Sequence, residues 1–398
     1  MKRKRVNFYF FGDTGSYDDY NPAYVCSKEY AAEIIYMIAN SKPFSITKNE
    51  VISSLGIDEK NFDEAIESLS RINALEVKED NYRIKFPIFL EKDVFTMEEY
   101  LKNIGQEIGT SIMALEDILI KKISQLTTSS SFSYKRILYH IICDKIFDGL
   151  AFDYFEKKDI FCTSKLQPGN RDYIIIAYEE SKVVESYSSK LLCSSNNYRA
   201  CGYTFNSFGD DNGQRKDIFR FFRMTQKSLE AATPFHELSV AYMKLIDNMN
   251  KEIAQKCGEL ILKINKENIN YYELSEWDRN IVDFLEEMSY LSFNDKNGSL
   301  DVKVPIFYSK DNEIVNELSA IILSNIYPIV EKVFKNLEDE MRELTAIIHG
   351  VPIKEIGNEI WHQIFGQTNE YLVRQGFVEP PENIEGEGRY LRSLSTDY

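Results

Sequence analysis

Apolar positions along this chain switch repeatedly between two periods. "VNFYFF" at 6–11 is a continuous apolar and aromatic run closed by a polar turn, and it predicts a short strand. Apolar residues then recur at threes and fours, predicting helices over 27–40, 47–55 and 59–72. "SIT" supplies a cap for the second helix, and Phe62, Ala65, Ile66, Leu69 and Ile72 form the buried stripe of the third. "ALEVKEDNYRIKFPIF" alternates around a polar turn at Glu79, Asp80 and Asn81, which predicts a β-hairpin. A long helical stretch follows over 94–126, then a break at "TTSSSFS" and further helices over 134–157. The region 172–209 mixes two strands, "YIIIAYEE" and "RACGYTFNSF", with a polar or helical segment between them.

The pattern then repeats. "RIKFPIFLEKD" at 83–93 and "DVKVPIFYSKD" at 301–311 share six of eleven residues, with Lys85 matching Lys303, 218 positions on. In the same register Ile104 meets Ile322, Leu119 meets Leu337, Ile146 meets Ile364 and Phe147 meets Phe365. Two unrelated amphipathic helices would share the periodicity, but not the Lys-x-Pro-Ile-Phe before it. "FFGDTGS" at 10–16 likewise pairs with "SFGDDNG" at 207–213. Two copies are read, 1–197 and 198–398, with the strand-containing segment 172–197 ending the first and a strand or tail over 379–398 ending the second. Each copy carries a long helical region, 94–160 and 312–378. The expected class is mainly α with small β elements, an internal duplication with pseudo-twofold character.

"VISSLGIDEKNFDEAIESLSRINALEVKEDNYRI" places short helices before a hairpin and resembles the winged-helix family, a variant of the helix-turn-helix. The resemblance spans about 27–90 in the first copy, and in divergent form about 235–307 in the second. It implies a module that binds DNA or docks a protein. A DNA reader wants outward Lys, Arg, Asn or Gln on its third helix. Residues 58–72 instead carry Asp58, Glu59, Asp63, Glu64 and Glu67 against Lys60 and Arg71, and 275–290 carry Glu276, Asp278, Asp283, Glu286 and Glu287 against Arg279.

Charge strengthens that reading. The formal net charge is −16, a field that repels nucleic acid and anionic membrane. Local cations that could still contact DNA are Arg3, Lys4, Arg5, Lys78, Arg83 and Lys85. The longest uncharged apolar stretch, 318–330, is too short to span a bilayer and holds a proline. Six cysteines without a CxxC pair point to a reducing, cytoplasmic setting rather than a disulfide framework.

Candidate chemistry is sparse. Asp13 in "FFGDTGS" has the look of a protease aspartate, and Asp210 is its counterpart. The second turn lacks the hydroxyl residue, and helical copies do not supply the strand-rich lobes that a shared-proton carboxylate pair needs. A remaining enzyme or ligand reading has both turns facing one site. The four histidines show no metal-ligand spacing, and no phosphate-binding glycine motif occurs. The expectation is therefore a non-enzymatic interaction or regulatory scaffold without cofactor or metal, with a protein partner or self-association. A DNA-binding transcriptional regulator is the alternative.

Overall fold

The computed structural model of the chain describes residues 3–223 and 236–398. Met1 and Lys2 of the basic start, and the His236 side chain, lie outside the described residues. Helix takes 54% and strand 17%, so the class is α+β with helix dominant.

Strand β1 (Val6–Asp13) leads into α1 (Pro22–Cys26), α2 (Ala31–Ala39), α3 (Lys48–Leu55) and α4 (Glu59–Arg71). The hairpin β2 (Leu75–Lys78) and β3 (Asn81–Ile84), the short β4 (Ile88–Phe89), α5 (Glu91–Met113) and α6 (Glu116–Ile123) follow. Helix α7 (Tyr134–Leu138) passes through a π-helical stretch, Tyr139–Leu150, into α8 (Ala151–Lys157). Then come β5 (Leu166–Gln167), β6 (Arg171–Glu179), α9 (Lys182–Ser188), β7 (Ser194–Ala200) and β8 (Tyr203–Gly209). The later chain forms α10 (His236–Lys266), α11 (Glu276–Glu287), β9 (Leu291–Phe293), β10 (Leu300–Val302) and β11 (Ile306–Tyr308). It ends with α12 (Asn312–Glu340), α13 (Thr345–Ile348), α14 (Ile353–Arg374), β12 (Asn383–Ile384) and β13 (Gly388–Thr396).

Local chemistry explains most boundaries. Thr47 and Glu50 form a reciprocal capping box at the start of α3, and Gly56 ends it in the left-handed conformation. Asp58 caps α4 and Ser275 caps α11. Glu79 and Asp80 both take positive φ, the two-residue turn that matches strand twist in a hairpin. The helix expected over 27–40 is α2, which starts only at Ala31, and a separate α1 precedes it. Asn21 and Pro22 start α1 early, and Tyr30 in the left-handed region separates it from α2. The second hairpin turns over the six residues between Phe293 and Leu300, and Gly298 supplies a positive φ there. Helix α12 continues past Pro328, which lies inside it. Among the described residues Ser309–Glu340 is the one stretch long and apolar enough to cross a bilayer by length and composition. Its stripe of Leu318, Ile322, Ile326, Val330 and Leu337 is buried, as in a core helix.

The chain divides into two compact units, and each gathers segments from both sides of residue 197. The first comprises Met1–Ile112, Gly149–Leu191 and Ile322–Tyr371. The second comprises Met113–Asp148, Leu192–Ile321 and Leu372–Tyr398.

In the first unit β6 is the central strand. It runs antiparallel to β1, with Val6 opposite Glu179 and Gly12 opposite Tyr173. On its other side it is parallel to β4, with Ile88 opposite Ala177. Helices α2, α3 and α4 and the β2–β3 hairpin pack Ile34, Ile38, Val51, Phe62, Leu69 and Ile84 into one core. Buried His349 ties this core together. Its Nδ1 accepts the Ile84 N–H at 3.2 Å, and Nε2 faces the carbonyls of Ala39 and Ser41. Asp93, 1% exposed, accepts backbone N–H groups from Leu90 and Thr345.

In the second unit β13 is central, antiparallel to β8 and parallel to β11. Tyr203 lies opposite Thr396, Gly209 opposite Tyr390 and Ile306 opposite Leu394. One strand is added here, because β7 pairs along the outer edge of β8. Asp311 accepts backbone N–H groups from Tyr308 at 2.9 Å and Thr127 at 3.0 Å. The core gathers Phe205, Ile261, Val282, Leu285, Tyr290 and Ile306.

Candidate functional site

The Phe-Gly-Asp turns come first. In both, glycine is required by close approach. A Cβ on Gly12 would lie 2.3 Å from the Asp172 carbonyl oxygen, and one on Gly209 would lie 1.9 Å from that of Arg389. Asp13 is exposed and accepts the Gly15 N–H at 2.8 Å. Asp210 is 2% exposed and fully engaged. Its Oδ1 accepts the Arg389 N–H at 3.0 Å, and its Oδ2 accepts Arg389 Nε at 2.8 Å. Asp13 belongs to the first unit and Asp210 to the second.

The six cations singled out as DNA contacts all belong to the first unit. Most have intramolecular partners. Lys4 bonds Glu179 at 2.9 Å, and that bond holds its ammonium above the usual lysine range. Arg5 pairs with Glu180, Arg83 with Glu76, and Lys85 with the Asn73 amide oxygen. Arg3 lies over the Tyr30 ring, while Lys78 and Arg83 share the ring of Phe44.

Helix α4 presents a different surface. Phe62, Ala65, Ser68 and Leu69 face the core, so Glu59, Lys60, Asp63, Glu64 and Glu67 are exposed. Cations near this face are already paired with it. Lys48 bonds Glu59 at 2.6 Å and Asp63 at 2.7 Å, and Arg71 bonds Glu67 at 2.7 Å. Beside the helix lies an open groove of about 390 Å³ lined by Lys28, Tyr30, Asn61, Glu64, Glu67 and Arg71. Lys28 Nζ donates to Ser68 Oγ at 3.0 Å, and both Lys28 and Arg71 reach Asp19. The arrangement is acidic, wet and charge-ordered. It suits a polar or basic protein surface and offers no array of free cations to phosphate. In the second unit, α11 exposes Glu276, Asp283, Glu286 and Glu287 together with Trp277 at 54% and, nearby, Tyr272 at 58%. Half-exposed Trp and Tyr are typical anchors of protein interfaces.

A buried polar row on the π-helical stretch was not anticipated. Asp144 accepts from Asn206 Nδ2 at 3.3 Å, and burial raises its carboxyl to about 7. Lys145 Nζ donates to Ser395 Oγ at 2.9 Å, and burial lowers its pKa. His140 is fully buried, and among the described residues neither ring nitrogen has a hydrogen-bond partner. The signal was present as Asp-Lys inside the otherwise apolar "HIICDKIF", but i,i+4 periodicity alone does not say which face a sheet will cover. Among the described residues no group of three or more His, Cys, Asp or Glu could hold a metal ion, and no disulfide joins any of the six cysteines.

No protein-family model, curated protein or solved structure matches this chain.

Proposed function

We propose that the protein is a non-enzymatic interaction or regulatory scaffold, built from two related copies with winged-helix-like modules and acting in the cytoplasm. One observation carries the reading: the outward face of α4 is acidic, and its neighbouring cations are already bonded to carboxylates. An α4 laid in a major groove would bring this face to the phosphates. A basic protein surface meets it with complementary charge. The duplication is supported by the matched strand registers of the two sheets. It is supported as well by the reciprocal bonds of Asp93 with Thr345 and of Asp311 with Thr127, in which the two aspartates are 218 positions apart and so are the two threonines.

The test is crosslinking followed by mass spectrometry in cells that produce the protein, comparing it with a Glu64→Lys, Glu67→Lys variant. A specific protein partner lost in the variant, with helical circular dichroism unchanged, is the expected result. The DNA alternative is met by a gel shift against random duplex at low salt. A shift at micromolar protein that collapses as salt rises would replace the scaffold reading.

A further inference from the structure

The two sheets match strand for strand with one exception. Strand β1 pairs with β6 as β8 pairs with β13, in the same register from Val6/Tyr203 to Gly12/Gly209. Strand β8 is covered on its other side by β7, from Ser194 opposite Gly209 to Ala200 opposite Tyr203. Among the described strands none pairs with the corresponding edge of β1.

That edge is unguarded. Soluble proteins usually blunt a free edge with charge, proline, a bulge or short length. Strand β1 has eight residues, and Val6–Gly12 contains neither charge nor proline. Its backbone polarity can be assigned. The Glu180 N–H donates to the Arg5 carbonyl, so Arg5, Asn7, Tyr9, Phe11 and Asp13 turn their backbone groups toward β6. By the same alternation Val6, Phe8, Phe10 and Gly12 turn theirs outward.

We propose that the open edge of β1 receives β1 of a second copy of this chain, antiparallel and about a twofold axis. The register is fixed by the outward groups. Hydrogen-bonded pairs must join outward residues, and the pairing that uses the whole strand sets Val6 opposite Gly12 and Phe8 opposite Phe10 of the second copy. Tyr9 then faces its own counterpart across the axis, and Arg5 faces Asp13 at both ends. The flanking charges are complementary in this register, and a self-complementary edge closes as a dimer instead of growing into a filament. The proposal is independent of the acidic docking face, so α4 charge variants leave the dimer intact.

Light scattering and sedimentation of the full chain, from micromolar to hundreds of micromolar, should give twice the 46.4 kDa chain mass as concentration rises. Hydrogen exchange at Val6, Phe8 and Phe10 should slow over the same range. Phe8→Pro removes an outward N–H without touching the β6 ladder, and it should return the mass to one chain. Since Phe8→Pro also loses packing, a second variant stands on its own. Tyr9→Cys, on the axis, should form a disulfide-linked dimer under mild oxidation above the wild-type background. Asn7→Cys, opposite Phe11, should not. A wild-type monomer throughout, with unprotected β1 amides, overturns the proposal. Crosslinking of Asn7→Cys as readily as Tyr9→Cys overturns the register and with it the twofold pairing.

Discussion

Asp93 reaches Thr345 across 252 positions of sequence: its Oδ1 accepts the Thr345 backbone N–H at 2.9 Å while Oδ2 accepts that of Leu90 at 2.6 Å. One carboxylate thus caps a local turn and anchors a distant one. Asp311 does the same for Tyr308 and Thr127. Removing either side chain leaves two amide donors in a buried site without acceptors. Asp93→Ala should cost about 2–4 kcal/mol, and Asp93→Asn, which keeps one acceptor, less. Urea unfolding followed by circular dichroism checks both, and equal midpoints for Asp93→Ala and wild type would remove the anchor role.

Two buried histidines should respond oppositely to the same substitution. His349 accepts from Ile84, so His349→Leu leaves that N–H unsatisfied and should cost about 1–3 kcal/mol. Among the described residues neither nitrogen of His140 has a hydrogen-bond partner, so His140→Leu should be neutral or stabilising. Thermal unfolding of the two variants decides the contrast.

Burial lowers the pKa of both histidines below the ordinary 6.5. Each therefore stays neutral in the fold while the unfolded chain takes up a proton. Stability is full above about pH 7 and should fall as pH drops below 6.5, by up to about 1.4 kcal/mol per pH unit for each histidine. Urea midpoints at pH 7.5 and 5.5 measure the loss, and His140→Leu should reduce it.

Asp144 has the opposite sign. Its folded carboxyl titrates at about 7, well above the ordinary 3.8. The stability it contributes is present below about pH 4 and is lost as pH rises through 7. Asp144→Asn, neutral throughout and still able to accept from Asn206, should be about 1–3 kcal/mol more stable than wild type at pH 8. At pH 4 the difference should vanish.

Gly105 on α5 touches the backbone of α14, where a Cβ would lie 2.8 Å from the Gln367 carbonyl carbon. Gly105→Ala should cost about 1–3 kcal/mol despite the better helix propensity of alanine. Gly149 has open space around it, so Gly149→Ala should gain a few tenths of a kcal/mol. Parallel melts of the two variants test whether approach distance or propensity governs.

Much of the element order was legible because it is local. Phe62, Ala65 and Leu69 announce α4 by spacing, and Thr47 and Asp58 announce helix starts by their side-chain oxygens. Pairing between distant segments was not legible. Nothing around Asp93 names Thr345 as its partner, and nothing in "GRYLRSLST" says that β13 will take a parallel β11 on one side and an antiparallel β8 on the other. The late start of α2 after Tyr30 was hidden because a left-handed tyrosine leaves no compositional mark. At the candidate site the acidity of α4 could be read directly. The ion pairs that occupy Lys48 and Arg71 depend on tertiary approach, which periodicity does not encode.

The three-segment make-up of each unit sets a timetable for synthesis. The first unit needs Ile322–Tyr371 and the second needs Leu372–Tyr398, so neither can close while the earlier chain emerges from the ribosome. The Asp93 carboxylate and the Ile84 N–H must wait for Thr345 and His349 through the making of most of the second half. Such long-range closure makes folding slow and largely post-synthetic. A break at 197/198 would leave two pieces, each short of segments held by the other, able to complete both units only by finding one another.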